Sequence, residues 1–327
     1  MMMEAIMSYF IAFFISWILM VLVTPVLRKV ACKTNYMEQP KADSRKIHKE
    51  AKPYLAAVGL FFIFWIVYFL AMKQVNTKIL YILASSTIIF AIGMVDDWYK
   101  IKGKDLAAWP KMIVQLIACA LVYKGGVQFV GFTNPLNGEY ILLPTLLQFT
   151  LSIIWLFGVT TVINFTDGMD GMDGLAGGVS CISAITLFIV ARAMGDYSAA
   201  MMGIILVGIC LGYLKYNRFP AKILMGDAGA TFLGFMLAII SLDGAFKQAT
   251  MFSIFVPVLA LGLPIFDNIY VIFKRMKEGR PIYIGDTSQA HFRLTAQGLT
   301  QKQAVHVLYL VCACLNLSAI ILFMIQS

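Results

Sequence analysis

The aspartates of this sequence fall where charge is expensive. Asp96 and Asp97 stand side by side in "GMVDDWYK", directly after the apolar run "ILASSTIIFAIGMV". Asp227 lies in "KILMGDAGATFLGF", among small and apolar residues. Asp167, Asp170 and Asp173 recur at every third position in "NFTDGMDGMDGLAGG", which begins at Asn164 and has apolar runs on both sides. Carboxylates gathered in one place raise one another's pKa or repel unless a cation sits among them. Oxygen donors without a Cys or His set point to Mg2+ or Mn2+ rather than Zn2+. Mg2+ takes one or two carboxylates and shares substrate phosphates, so the chemistry expected here involves a phosphorylated substrate.

Each residue also has a plainer reading. If the helix before Asp96 and Asp97 ends there, both charges stand at the negative end of its dipole and need a positive neighbour; Lys100, Lys102 and Lys104 or a divalent cation would serve. Asp227 precedes a run of small residues and could simply cap a helix. The glycines through 164–178 oppose a regular helix, so that stretch reads as a tight turn with Asp173 capping the next helix. Capping accounts for one aspartate of the three. Two basic stretches complete the set. "SRKIHKEAKP" holds Arg45, Lys46 and His48, and "GDTSQAHFRL" holds His291 and Arg293, with Arg280 and Lys222 nearby in sequence to other motifs. These cations suit phosphate oxygens or anionic lipid headgroups.

The elements that must position these groups are membrane helices. The chain has 327 residues, 60% hydrophobic and 13% charged, against about a quarter charged in a soluble domain. Several stretches are apolar for about 18 residues or more, enough to span roughly 30 Å of hydrocarbon. Ten helices are expected, near 6–27, 54–72, 78–95, 109–124, 144–163, 175–194, 199–214, 228–242, 251–273 and 304–325, in one domain covering 1–327: an all-α polytopic membrane bundle. The first is read as a retained span, since Glu4 precedes it and Arg28 and Lys29 follow it. Of 26 Lys and Arg, all but Lys73, Lys78, Lys124, Arg192 and Lys247 fall in loops on one side. The positive-inside rule makes that side cytoplasmic and puts both termini outside. Every polar motif then lies on the cytoplasmic face. The net charge of +9 is explained by these loops, without any need of nucleic acid. The cysteines, mostly in apolar runs and without a C-x-x-C pair, read as small core residues.

Taken in order, the motifs resemble the polyprenyl-phosphate N-acetylhexosamine-1-phosphate transferases. "GMVDDWY" resembles the family's G-x-x-D-D, "PAKILMGDAGATFLGF" its P-A-K-x-F-M-G-D-x-G-S-x-F-L-G, "PIFDNIYVIFKRMKEGRPI" its P-I-F-D helix and G-R-P loop, and "SRKIH" its R-K-x-H. The resemblance implies transfer of a sugar 1-phosphate from a UDP-N-acetylhexosamine, GlcNAc before others, to a polyprenyl phosphate in the plasma membrane. UMP is released with Mg2+, or Mn2+, as cofactor. By position, Asp97, Asp227 and Asn164 would face the metal, and Asp96 would act as base or orient the lipid phosphate. His291 and Arg293 would contact the nucleotide-sugar phosphates. Asp167, Asp170, Asp173, Lys46, His48, Lys222 and Arg280 would complete the substrate site. Dimers are usual for such enzymes.

The sequence also departs from the pattern. Asp167 falls where the family's turn carries a second Asn. Only His291 remains of three histidines in H-x-H-H-R-L, Ala56-Ala57 replace a Gly-Gly, and Ala230 replaces a Ser. These changes bear on which sugar is bound. The muramyl-pentapeptide branch of the same superfamily is the alternative within the class. An ion-coupled transporter is the alternative outside it, disfavoured because the charges cluster on one face. An intramembrane aspartyl protease would need a G-x-G-D pattern that "LMGD" lacks.

Overall fold

The computed structural model describes residues 2–38, 50–72, 75–104, 106–134, 137–167, 172–244, 255–280 and 287–326. Within them the chain forms α1 (Met2–Lys33), an antiparallel pair of two-residue strands, β1 (Met37–Glu38) and β2 (Lys52–Pro53), then α2 (Ala56–Ala71), α3 (Thr77–Ile101) and α4 (Ala108–Lys124). A second antiparallel pair, β3 (Gly131–Thr133) and β4 (Tyr140–Leu142), leads to α5 (Thr145–Asp167), α6 (Leu175–Ala193), α7 (Tyr197–Asn217) and α8 (Gly226–Gly244). The chain closes with α9 (Phe255–Ala260), α10 (Gly262–Lys277), α11 (Ala290–Ala296) and α12 (Gln301–Gln326). Seven of these helices (α1, α3, α5, α6, α7, α8 and α12) are long and apolar enough to cross a membrane. The fold is the all-α polytopic bundle that the hydropathy implies.

The centre of the bundle is α8, every residue of which is buried. Helices α3 and α5 pack closely on it, with α6, α2 and α7 around them. A hydrophobic effect does not drive helices together in lipid, so close backbone packing at small residues has to. The sequence supplies those residues at the crossings. A Cβ on Gly234 of α8 would lie 3.0 Å from the Thr160 backbone of α5. Gly208 and Gly212, one turn apart on α7, lie against the Phe13 and Trp17 carbonyls of α1.

Prolines inside the helices are compensated across the bundle. Pro25 has no N–H for the Val21 carbonyl four residues back, and the Tyr216 hydroxyl of α7 donates to it at 3.0 Å. Pro264 leaves the Ala260 carbonyl free in the same way. Ser183 donates to it at 2.6 Å and Asn316 at 3.1 Å. This break marks a correction: the single helix expected over 251–273 is, in its described part, two helices meeting at Leu261. The hydropathy also gave no hint of α11.

Candidate active site

Helix α3 runs to Ile101, past the expected end near 95. Asp96 and Asp97 therefore sit within its last turns, not beyond them. Gly93, one turn earlier on the same face as Asp97, is where α3 meets the start of α8: an added Cβ would lie 2.4 Å from the Ala228 Cα. That approach delivers the Asp97 carboxylate to the first turn of α8. Its oxygens accept the Asp227 N–H at 2.7 Å and the Ala228 N–H at 3.1 Å. A carboxylate there satisfies orphan donors and meets the positive end of the α8 dipole. The cap of α8 is thus Asp97 from another helix, and the expectation that Asp227 caps it is corrected. Gly226 permits the arrangement, with φ +67° and no Cβ to collide with Asp97 Oδ2, which would be 2.5 Å away.

With its N–H held by Asp97, Asp227 turns its side chain toward Asp96, so that one ammonium touches both carboxylates. Two ammonium groups hold them there. Lys100 donates to Asp227 Oδ1 at 2.7 Å and stands 3.9 Å from Asp96. Lys111 donates to Asp96 Oδ2 at 2.7 Å and also to Asp227 Oδ2, bridging the pair. All three aspartates are buried, and removing one partner of such a cluster leaves an uncompensated charge. Sequence reasoning offered Lys100 but missed Lys111. The signal was present, however: Lys111 lies in the first turn of α4, the end of a helix where a cation is unfavourable. Its partner Asp96 lies near the end of α3, where an anion is unfavourable. Each helix end holds the other's compensating charge.

Beside this pair the chain is knotted by backbone contacts. Leu224 N–H donates to the Pro53 carbonyl at 2.8 Å, Ala56 N–H to Leu224 at 3.2 Å, and Lys52 Nζ to Ala221 at 2.8 Å. Asp173 accepts the Ala221 N–H at 2.7 Å, and Asn217 accepts the Gly174 N–H at 3.0 Å. Asp173 was expected to cap α6, but it anchors the 218–225 loop instead; the residue entering α6 is Gly174, at φ +87°. Tyr54, buried at this junction, has its phenol pushed well above its usual pKa. Burial is the main cause, followed by the fields of Asp97, Glu38, Asp227 and Asp167. Asp167, the half-buried last residue of α5, thus lies close enough to Tyr54 for its charge to act on the phenol. Neither Tyr54 nor Glu38 stood out in the sequence. Asn164 is buried one turn earlier on α5, and its Nδ2 has no partner among the described residues.

His291 and Arg293 belong to a segment that packs beside the last turn of α5. The Gln289 side chain donates to the Phe165 carbonyl at 3.2 Å, and His291 lines a narrow crevice with Phe165, Thr166 and Asn268. Asp267 accepts the Ala290 N–H with both oxygens at 2.9 Å, which starts α11. Arg293 returns to Asp267 at 3.1 Å, donates to the Ser288 carbonyl at 2.6 Å and lies 4.2 Å over the Tyr270 ring. Burial, assisted by the Arg293 charge, lowers the His291 pKa to about 4, so its imidazole is neutral near pH 7. Arg280 is exposed and pairs with Glu278, and Lys222 is exposed beside the Asp173 anchor. Lys46, His48 and Asp170 lie outside the described residues.

A pair of carboxylates bridged by ammoniums at a helix start is a site for phosphates and cations, and comparison with known proteins gives it a family. Residues 79–245, the stretch from α3 to the end of α8 that holds the cluster, match the profile of glycosyl transferase family 4. The chain belongs to this family. It is 32% identical over 319 residues to the probable undecaprenyl-phosphate N-acetylglucosaminyl 1-phosphate transferase of Bacillus subtilis (strain 168), covering 98% of this chain and 86% of that protein. It is 28% identical over 320 residues to the phospho-N-acetylmuramoyl-pentapeptide-transferase of Streptococcus mutans serotype c, covering 90% and 89%. A decaprenyl-phosphate N-acetylglucosaminephosphotransferase of Mycobacterium leprae is 28% identical over 247 residues, 70% of this chain and 61% of that protein. The His291 patch lies outside the segment that the family profile matches.

Proposed function

We propose that this glycosyl transferase family 4 protein moves GlcNAc 1-phosphate from UDP-GlcNAc to polyprenyl phosphate, with Mg2+, at the cytoplasmic face of the plasma membrane. The observation that carries the reading is the Asp96–Asp227 pair, held at the start of α8 by Asp97 and bridged by Lys111. The relative from Bacillus subtilis, alike over nearly the whole chain, favours GlcNAc as the sugar. The cytoplasmic placement rests on the basic loops at this end of the bundle.

The residues present fit a divalent cation. Among the described residues no three His, Cys, Asp or Glu side chains converge as a metal cage, but an ion that shares its shell with substrate phosphates needs only one or two carboxylates. Asp96 and Asp227 face one another across a bound ammonium, which stands where a cation belongs. Asp97, with both oxygens on α8 N–H groups, is better suited to positioning than to ligation. Asp96 and Asp227 are accordingly the proposed ligands, a different division from the one the motifs alone imply. Bound there, Mg2+ would stabilise the negative charge of the diphosphate and of the departing UMP.

In the reaction an oxygen of the lipid phosphate bonds to the phosphorus carrying the sugar. The bond from that phosphorus to the UMP oxygen breaks, and UMP leaves with the electron pair. Phosphoryl transfer asks the protein mainly for positioning and charge neutralisation. Lys100 and Lys111 supply positive charge at the reacting phosphates. Asp97 fixes Asp227 through the backbone. Asn164 presents an amide donor for a substrate acceptor. Neutral His291 and the α11 segment wall the site beside α5.

The test is UMP release by the purified protein from UDP-GlcNAc with undecaprenyl phosphate and Mg2+. Release that depends on all three supports the proposal. No release with UDP-GlcNAc or any other UDP-N-acetylhexosamine would overturn it.

A further inference from the structure

Lys111 holds a position that the proposed metal also needs. Its ammonium bridges the facing oxygens of Asp96 and Asp227, while Lys100 holds the other oxygen of Asp227 from the flank. The two lysines are placed differently. The Lys111 side chain is 17% exposed and lies between the carboxylates, whereas Lys100 is 29% exposed and stands 3.9 Å from Asp96. A unit charge and a divalent ion lodged between the same two carboxylates repel each other strongly in a protein interior, where the effective dielectric is well below that of water. They therefore compete for the space between the facing oxygens of the two carboxylates.

We propose that Lys111 and the divalent cation occupy the Asp96–Asp227 pair in turn, and that metal binding releases the Lys111 ammonium to the substrate phosphates. The inference rests on the metal reading above. Three charges of the cluster are negative (Asp96, Asp97 and Asp227) and two are positive (Lys100 and Lys111), so the resting site is nearly neutral. That balance lets these carboxylates remain buried without metal. Adding a divalent cation changes the sum from one negative to one positive charge. The cluster then calls for an anion, and the diphosphate and lipid phosphate are anions. Lys111 can answer that demand without backbone movement. It sits in the first turn of α4, on a flexible four-carbon stem whose charged end is mobile once its partners are taken. Metal and substrate binding are thereby coupled: the metal frees the lysine that receives the phosphates.

Two measurements on the full-length protein in detergent test this. In the first, divalent ions are stripped and lysines are acetylated with a small amine-reactive reagent, with and without Mg2+, then read by mass spectrometry. Lys111 labelling is expected to rise several-fold with Mg2+ while Lys100 changes little; unchanged or reduced labelling of Lys111 overturns the exchange. The second is Mn2+ affinity by electron paramagnetic resonance. Lys111→Gln removes the competitor and is expected to bind Mn2+ about tenfold more tightly, equivalent to ~1.4 kcal/mol. Lys111→Arg, which keeps the charge, is expected to stay close to wild type. Equal or weaker binding by Lys111→Gln overturns the exchange while leaving the metal site intact. Absence of Mn2+ binding in both wild type and Lys111→Gln overturns the metal reading itself.

Discussion

The Gly93→Ala substitution adds one methyl group at the point where α3 meets the start of α8. The added Cβ would lie 2.4 Å from the Ala228 Cα and 2.8 Å from its nitrogen. Carbon atoms settle at about 3.5–4.0 Å, so the helices must separate by about 1 Å. Both atoms met are backbone, and no side-chain rotation relieves the clash. The Asp97 contacts one turn away, at 2.7 and 3.1 Å, would then leave the N–H···O range of about 2.7–3.2 Å. Overpacking costs about 1–3 kcal/mol, and a buried carboxylate and N–H left unmatched cost a similar amount. The expected loss of stability is therefore about 2–6 kcal/mol. A displacement of about 1 Å at a reacting centre costs roughly 100-fold in rate. Gly158→Ala is the control, since nothing lies within 4 Å of its added Cβ; mid-helix Ala is favoured over Gly by up to ~1 kcal/mol. The assay is UMP release alongside thermal melting of both variants in the same detergent. Wild-type turnover and melting in Gly93→Ala would refute the claim that this crossing sets the geometry of Asp97 and Asp227.

Further outcomes are expected from the same contacts. His291, with a pKa lowered from 6.5 to about 4, disfavours folding in acid because the unfolded chain takes up the proton first. Its contribution is complete above about pH 6.5 and is lost as pH falls toward about 4, amounting to ~3 kcal/mol. Melting temperatures of wild type and His291→Gln across that range should converge on acidification; parallel curves would contradict the assignment. Arg293→Lys keeps the charge but loses the two-pronged hold on Asp267 and Ser288 and the stacking on Tyr270, a cost of about 1–2 kcal/mol. Faster proteolysis across residues 287–296 is the readout, and wild-type resistance would count against it. Asp167→Asn removes a charge from the negative end of α5, so stability should hold or rise by a few tenths of a kcal/mol with turnover retained. Asp173→Asn disturbs the buried anchor to Ala221 and should cost about 1–3 kcal/mol. Equal losses in the two variants would show that Asp167 and Asp173 do the same job.

Much of this arrangement could be read from residue order. Apolar runs located the helices, and the aspartates with their glycines marked the end of the bundle where the cluster lies. Hydropathy failed where polar residues continue a helix. The stretch "DDWYK" looks like a loop to a hydropathy scale, yet α3 keeps its backbone bonds through it because Asp97 and Lys100 find partners on α8. The division at Leu261 was hidden for the opposite reason. Pro264 weakens that helix, and the groups replacing its missing bond, Ser183 and Asn316, are distant in sequence. The distinct roles of Asp96 and Asp97 likewise depend on which backbone stands opposite each, which no local motif specifies. Lys111 was the most accessible omission, since a lone cation in the first turn of an otherwise apolar helix already asks for an anionic neighbour.

If the proposed chemistry holds, the phosphate travels with the sugar. Supplying UDP-GlcNAc labelled both in the sugar and in the phosphate attached to it, with polyprenyl phosphate and Mg2+, separates the possibilities. Both labels are expected in the lipid fraction in equal amounts, with UMP in water. Sugar label in the lipid without the phosphate label, with UDP released, would show plain glycosyl transfer and contradict the proposal.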